Sequence, residues 1–143
     1  MVHMLRISKM TDYGTVILAA MAQQPLERKN AAVLAARTHI SAPTVSKVLK
    51  KLHRAGLVSS TRGLHGGYQL ARAATRISAG AILDALDGPL AITDCSAGHG
   101  HCGIEHSCLV GRSWQRLNHV VRRALNDVSL AQLAGLEHTS TPQ

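Results

Sequence analysis

Apolar residues recur at helical spacing in the first part of the chain. Met10, Tyr13, Ile17, Ala20 and Met21 predict a helix over residues 9–23, with Ser8 as its N-cap and Pro25 just past its end. Asn30 can cap a second, short helix carrying Val33, Leu34 and Ala36, and Thr38-His39-Ile40 breaks that pattern. Ser41 can cap a third helix with Pro43 in its first turn, where a missing N–H costs little. Val45, Val48, Leu49 and Leu52 form its buried stripe, and Gly56 is a natural stop. Two short strands follow, 57–61 and 68–70, around the glycine-rich tip Arg62-Gly63-Leu64-His65-Gly66-Gly67. Ser78 can cap a helix with Ile82, Leu83 and Leu86 that ends at Asp87-Gly88-Pro89. Residues 90–111 show no period. A long helix is predicted over 113–127, then a last turn capped by Ser129 with Leu130 and Leu133.

Short helix, tight turn, capped helix and basic hairpin together predict a mainly α fold with a small β-hairpin wing: a winged helix-turn-helix, followed by a C-terminal dimerisation helix. The expected organisation is a DNA-binding domain over 4–88, a cysteine-containing loop over 89–111, and a dimerisation helix and terminal turn over 112–136. The chain has 143 residues, and its aromatics are Tyr13, Tyr68 and Trp114. An aliphatic core this thin leads us to expect a partner chain that buries more surface. No run of 18 apolar residues is present, so no membrane span is expected. No secretory signal is legible ahead of the first helix, which points to the cytoplasm.

The position of the charge changes the picture. Residues 1–90 carry 12 Lys/Arg against 4 Asp/Glu, whereas residues 91–143 carry 4 of each. Between Arg28 and Leu83 there is no acidic residue at all. Solubility does not require that exclusion, whereas attraction to a polyanion does. With Val45, Val48, Leu49 and Leu52 turned inward, Ser41, Thr44, Ser46, Lys47, Lys50 and Lys51 are left as candidate DNA-binding residues. Small hydroxyls can approach base edges and lysines can reach phosphates. Arg62 and His65 on the wing tip are candidates for a minor groove. A double-stranded DNA operator is the expected partner.

Cys95, Cys102 and Cys108 are spaced C-x6-C-x5-C among His99, His101, His106, Asp94 and Glu105. Thiolates select zinc, copper(I) or iron–sulfur clusters, and this spacing is too wide for a zinc knuckle. Three cysteines leave a four-ligand site one short. Zinc through one of the three histidines stays open at this point. An enzyme using a Cys/His pair lacks an orienting third group, so no catalytic residue is assigned.

The stretch Arg6-Ile-Ser-Lys-Met-Thr-Asp-Tyr-Gly14 and the run SAPTVSKVLKKLHRAGLVSSTRGLHGGYQLAR from Ser41 to Arg72 resemble the iron–sulfur winged-helix regulator family that includes IscR, the nitric-oxide sensor NsrR and regulators of SUF cluster-assembly operons. The ends WQRLNHVVRRAL and VSLAQLAG are most similar to the SUF branch, and the resemblance covers nearly all of residues 4–136. It implies a homodimer on a pseudo-palindromic operator, with a 2Fe–2S or 4Fe–4S cluster on Cys95, Cys102 and Cys108. In the IscR pattern a His follows three residues after the third cysteine, and that position here is Gly111. The NsrR-like pattern uses an Asp of the opening motif, supplied by the partner subunit, and Asp12 matches it. His99, His101 and His106 are competing fourth ligands, and a macrodipole role for Asp12 is the plain alternative.

On the last helix Trp114, Leu117, Val121, Ala124 and Val128 fall on one narrow seam, with Val120 and Leu125 beside them. That spacing packs one helix against another, either a second copy or the chain's own core. The expected function is a repressor that senses cluster status and controls iron–sulfur assembly genes. The alternative is a cluster-free regulator responding to zinc or thiol redox state.

Overall fold

A computed structural model describes residues 7–89 and 109–136, and the statements below concern those residues. The chain runs α1 (Lys9–Gln23), α2 (Ala31–Thr38), α3 (Ala42–Arg54), β1 (Val58–Thr61), β2 (Gly67–Leu70), a single 3-10 turn (Ala74–Arg76), α4 (Ala79–Asp87), α5 (Leu109–Asp127) and α6 (Leu130–Leu133). This is the winged helix-turn-helix that the periodicity predicts.

Most helices start where a side chain satisfies an orphan donor. Ser8 Oγ accepts from the Thr11 N–H at 3.2 Å, Asn30 Oδ1 from Val33 at 2.9 Å, and Ser78 Oγ from Ala81 at 3.0 Å. Ser129 and Gln132 form a reciprocal capping box at 3.1 and 2.9 Å. Ser41 departs from the expected cap: its hydroxyl donates to Thr44 Oγ1 at 2.8 Å and makes no backbone cap. Between α2 and α3 the chain turns through His39 at φ 59, a left-handed residue that closes the helix-turn-helix.

Beneath these elements lies one aliphatic core. Ile17 and Leu18 of α1, Leu34 of α2, the full stripe Val45, Val48, Leu49 and Leu52 of α3, Ile82 of α4 and Leu130 of α6 are buried. Val33 and Ala36 face outward instead, so α2 presents one strong apolar residue to the core. Gly14 is buried where α1 meets α4, and a Cβ there would overlap Leu86 Cδ1. The close approach of the two helices therefore depends on glycine.

The antiparallel hairpin pairs Val58 with Leu70 and Thr61 with Gly67. It is braced at its base, because Lys29 and Tyr68 exchange both backbone hydrogen bonds at 3.0 and 2.8 Å. Gly67, at φ 142, lies so near this bridge that a Cβ would sit 2.9 Å from the Lys29 carbonyl. Lys29 itself is buried, so it adds nothing to the exposed basic surface. At the far end the Ala79 N–H donates to the Val128 carbonyl at 2.8 Å, and Leu130 to Ile77 at 2.7 Å. These bonds fold the end of α5 and all of α6 back onto the domain. Helix α5 begins at Leu109, earlier than residue 113 and inside the stretch expected to be loop, because Leu109 and Val110 continue the helical run.

Candidate nucleic-acid interface

Burying four residues of α3 on one side decides what faces outward. On a 3.6-residue turn the positions opposite that stripe are Pro43, Lys47, Lys50 and Arg54, and all four are exposed. Lys51 is half-buried on one flank. Thr44 and Ser46, also half-buried, project from opposite flanks of the outward stripe. Thr44 is additionally engaged by Ser41. Arg54 belongs to the outermost stripe although the sequence reading did not single it out; its spacing four after Lys50 was the available signal. Arg62 and His65 are both exposed at the tip of the wing.

Asp12 lies in the first turn of α1 with its side chain exposed. Among the described residues its carboxylate has no hydrogen bond or ion pair. The neighbouring turn is tightly held. Asp87, at the end of α4, accepts from Thr11 Oγ1 at 2.6 Å and from Ser8 Oγ. Burial pushes the Asp87 carboxyl up, but these two hydroxyls, with the Lys51 ammonium nearby, outweigh it and hold the group below the usual carboxylate value. Asp87 thereby links α4 to the start of α1. Nothing in the sequence pattern marked this residue beyond its place at a helix end.

Helix α5 turns a polar side to its own domain. Gly111 is buried and Asn118 half-buried there, and Arg122 makes a two-pronged ion pair with Asp84 of α4, one arm at 2.6 Å. The Asp84 carboxylate raises the Arg122 pKa. The apolar stripe faces elsewhere: Trp114, Leu117 and Ala124 are exposed, and Val110 and Val120 are 61 and 64% exposed. Val121 and Val128, which belong to the expected seam, and Leu125 beside it are half-buried. Cys95, Cys102 and Cys108, with His99, His101 and His106, lie outside the described residues. Among the described residues no three His, Cys, Asp or Glu side chains come together as a metal site, and no helix is long and apolar enough to cross a membrane.

A family model described as an iron-dependent transcriptional regulator, Rrf2, matches residues 7–135. The chain is a member of the Rrf2 family. The regulator IscR of Vibrio atlanticus is 32% identical over 129 residues, 87% of this chain and 74% of that one. Among solved structures, CymR, the global cysteine regulator of B. subtilis, superposes with a TM-score of 0.72 at 26% identity, covering 94% of this chain and all of that one. T. potens IscR does so with a TM-score of 0.67 at 27% identity, covering 97 and 93%. These relatives are transcription regulators and not enzymes. The Rrf2 assignment makes this chain an IscR-like transcription regulator with a winged-helix fold.

Proposed function

We propose that this Rrf2-family protein is a cytoplasmic homodimer that represses iron–sulfur assembly genes and reads cluster status through Cys95, Cys102, Cys108 and Asp12. The observation that carries the DNA-reading half is the outward stripe of α3. Lys47, Lys50 and Arg54 stand exposed in a row with no carboxylate among them, on the second helix of the helix-turn-helix, the element that such motifs lay in a major groove. The lysines neutralise phosphates. Thr44 and Ser46, on the flanks, meet base edges, with Ser41 orienting Thr44. Arg62 and His65 of the wing enter the adjacent minor groove.

The sensing half is supported by Asp12, an exposed carboxylate without a partner among the described residues, next to Thr11 in the turn that Asp87 anchors. Gly111 has no side chain to act as a ligand where an IscR-like set has histidine. Three thiolates plus one carboxylate are a donor set suited to iron. An iron–sulfur cluster bound there would supply a centre that responds to oxidation and iron supply. The chain's own part is to carry that response. The Ser8, Thr11 and Asp87 contacts join the turn bearing Asp12 to α4, and Asp84 with Arg122 joins α4 to α5.

The dimer is supported by the exposed part of the α5 seam, Trp114, Leu117 and Ala124, and by Val110 and Val120 near it, which lie off the side that packs on its own domain. A second reading draws on the likeness to CymR, described as a cysteine regulator. On that reading the cysteines respond as thiols with no cluster. The test compares anaerobically purified and chelator-treated protein on a duplex selected from a random pool. The proposal expects a change in specific affinity on cluster removal and no visible chromophore in Cys95→Ala, Cys102→Ala or Cys108→Ala. Affinity that follows thiol oxidation in colourless protein supports the second reading.

A further inference from the structure

Asp84 is the first acidic residue after the stretch from Arg28 to Leu83, which has none. The Arg122 guanidinium of α5 holds its carboxylate with both arms. Asp84 also lines, with Ala85, a groove of 320 Å³ whose other lining residues are Lys51, Arg54 and Ala55 at the end of α3. Among the described residues Arg54 has no hydrogen bond or ion pair. Lys51 is near enough to Asp87 to help lower the pKa of that carboxyl. One carboxylate thus has cations of two different helices beside it, and it is paired with only one of them.

The side chains of Asp84 and Arg122 are 33 and 32% exposed. An ion pair that open to water contributes little net stability, because its attraction is screened and two side chains must be held still. Exchanging one such partner for another is therefore nearly balanced, and position decides which is taken. Helix α5 is held at its far end, where the Ala79 N–H donates to the Val128 carbonyl and the Leu130 N–H to the Ile77 carbonyl. It starts at Leu109, directly after Cys108 in the chain and remote from those bonds. A displacement at the start of α5 therefore swings about the held end and moves Arg122 relative to Asp84.

We propose that Asp84 is a shared carboxylate that sets how many cations α3 offers to DNA. Held by Arg122, it leaves Arg54 free for a phosphate. Released by Arg122, it draws Arg54 across the groove and takes one cation out of the DNA-facing row. The position of α5 thus reaches α3 by exchange of an ion-pair partner. The proposal rests on the reading of α3 as the recognition helix, and its test separates the two.

Full-length protein is titrated by fluorescence anisotropy, over a range of salt, against a duplex that the wild type has selected from a random pool. Arg122→Met keeps an aliphatic stem but frees Asp84. It is expected to lower the salt slope by about one unit per chain and to weaken binding about fivefold to tenfold per chain at ~0.1 M salt. Arg122→Gln should do the same, whereas Arg122→Lys keeps the charge and should match wild type. Asp84→Asn alone is expected to keep the wild-type slope, and Asp84→Asn combined with Arg122→Met to restore it. A merely structural role for the pair predicts the opposite: Asp84→Asn would fail as Arg122→Met does, and the double variant would not recover. That result, or a wild-type slope in Arg122→Met, overturns the exchange whatever the control shows. The control is Lys47→Ala, on α3 but outside the groove. If Lys47→Ala changes nothing while Arg122→Met and the double variant behave as expected, the exchange stands and the reading of the α3 stripe as a row of phosphate contacts fails.

Discussion

Replacing Val120 by Glu should separate the two chains without unfolding either. In the single chain Val120 is 64% exposed on the outer side of α5, so a Glu there meets water. Glu also forms helix somewhat better than Val, so the helix itself should not suffer. Against a second copy the same side chain would be buried. Lost valine burial costs about 1–2 kcal/mol, and a buried carboxylate without a partner costs about 3–5 kcal/mol more. One copy of the change alone gives a loss of at least about 4 kcal/mol, roughly a thousandfold in Kd, and two-fold symmetry counts it twice. Sedimentation velocity at micromolar concentration, with circular dichroism as the folding control, reads the outcome. A folded monomer with greatly weakened operator binding is expected. A folded Val120→Glu protein that stays dimeric would mean that this face of α5 is not the interface. Val121→Glu is the less clean experiment, because Val121 is half-buried against its own chain.

Other expectations follow from single contacts. Lys47→Ala and Lys50→Ala should each reduce the salt slope of DNA binding by roughly one unit and weaken all sequences about equally, whereas Thr44→Val should cost about 1–3 kcal/mol at the selected site alone; competition titrations against random duplex separate the two. Because Asp87 is held below the ordinary carboxylate value of 3.8, its stabilising contribution is complete above that pH and is lost as pH falls through its lowered folded value. Asp87→Asn should therefore flatten the acid limb of a melting-temperature profile below about pH 4, and an unchanged limb would mean that the Ser8 and Thr11 bonds carry no such linkage. Gly14→Ala should destabilise the fold by about 1–3 kcal/mol in urea unfolding, since the added methyl must displace Leu86 from the core.

What could be read from sequence was local. Ser8, Asn30, Ser78 and Ser129 act as caps because a cap involves residues three apart, and the stripe Val45 to Leu52 is a property of one helix. Ser41 looked like its fellows, but Thr44, three residues on, offered its hydroxyl a competing acceptor. Charge counting placed Lys29 with the basic surface. Its backbone is instead paired with Tyr68, which draws its aliphatic stem inside. The ties between Asp87 and the start of α1, and between Asp84 and Arg122, join residues 79 and 38 apart in sequence. Such partners depend on how helices pack, and no period announces them. The seam on α5 was legible as apolar spacing, but its direction was not. Burial of Gly111 and the Asp84–Arg122 pair turn the helix so that Val110 and Val120 share the outward face with Trp114 and Leu117.

The central claim is that three cysteines make this regulator a cluster sensor. Visible absorption, iron and acid-labile sulfide measured together on one anaerobically purified sample test it most directly. The account predicts coloured protein in which iron and sulfide rise together, with both lost in Cys95→Ala, Cys102→Ala and Cys108→Ala. Colourless protein that binds its selected operator while holding zinc, or no metal at all, would contradict it.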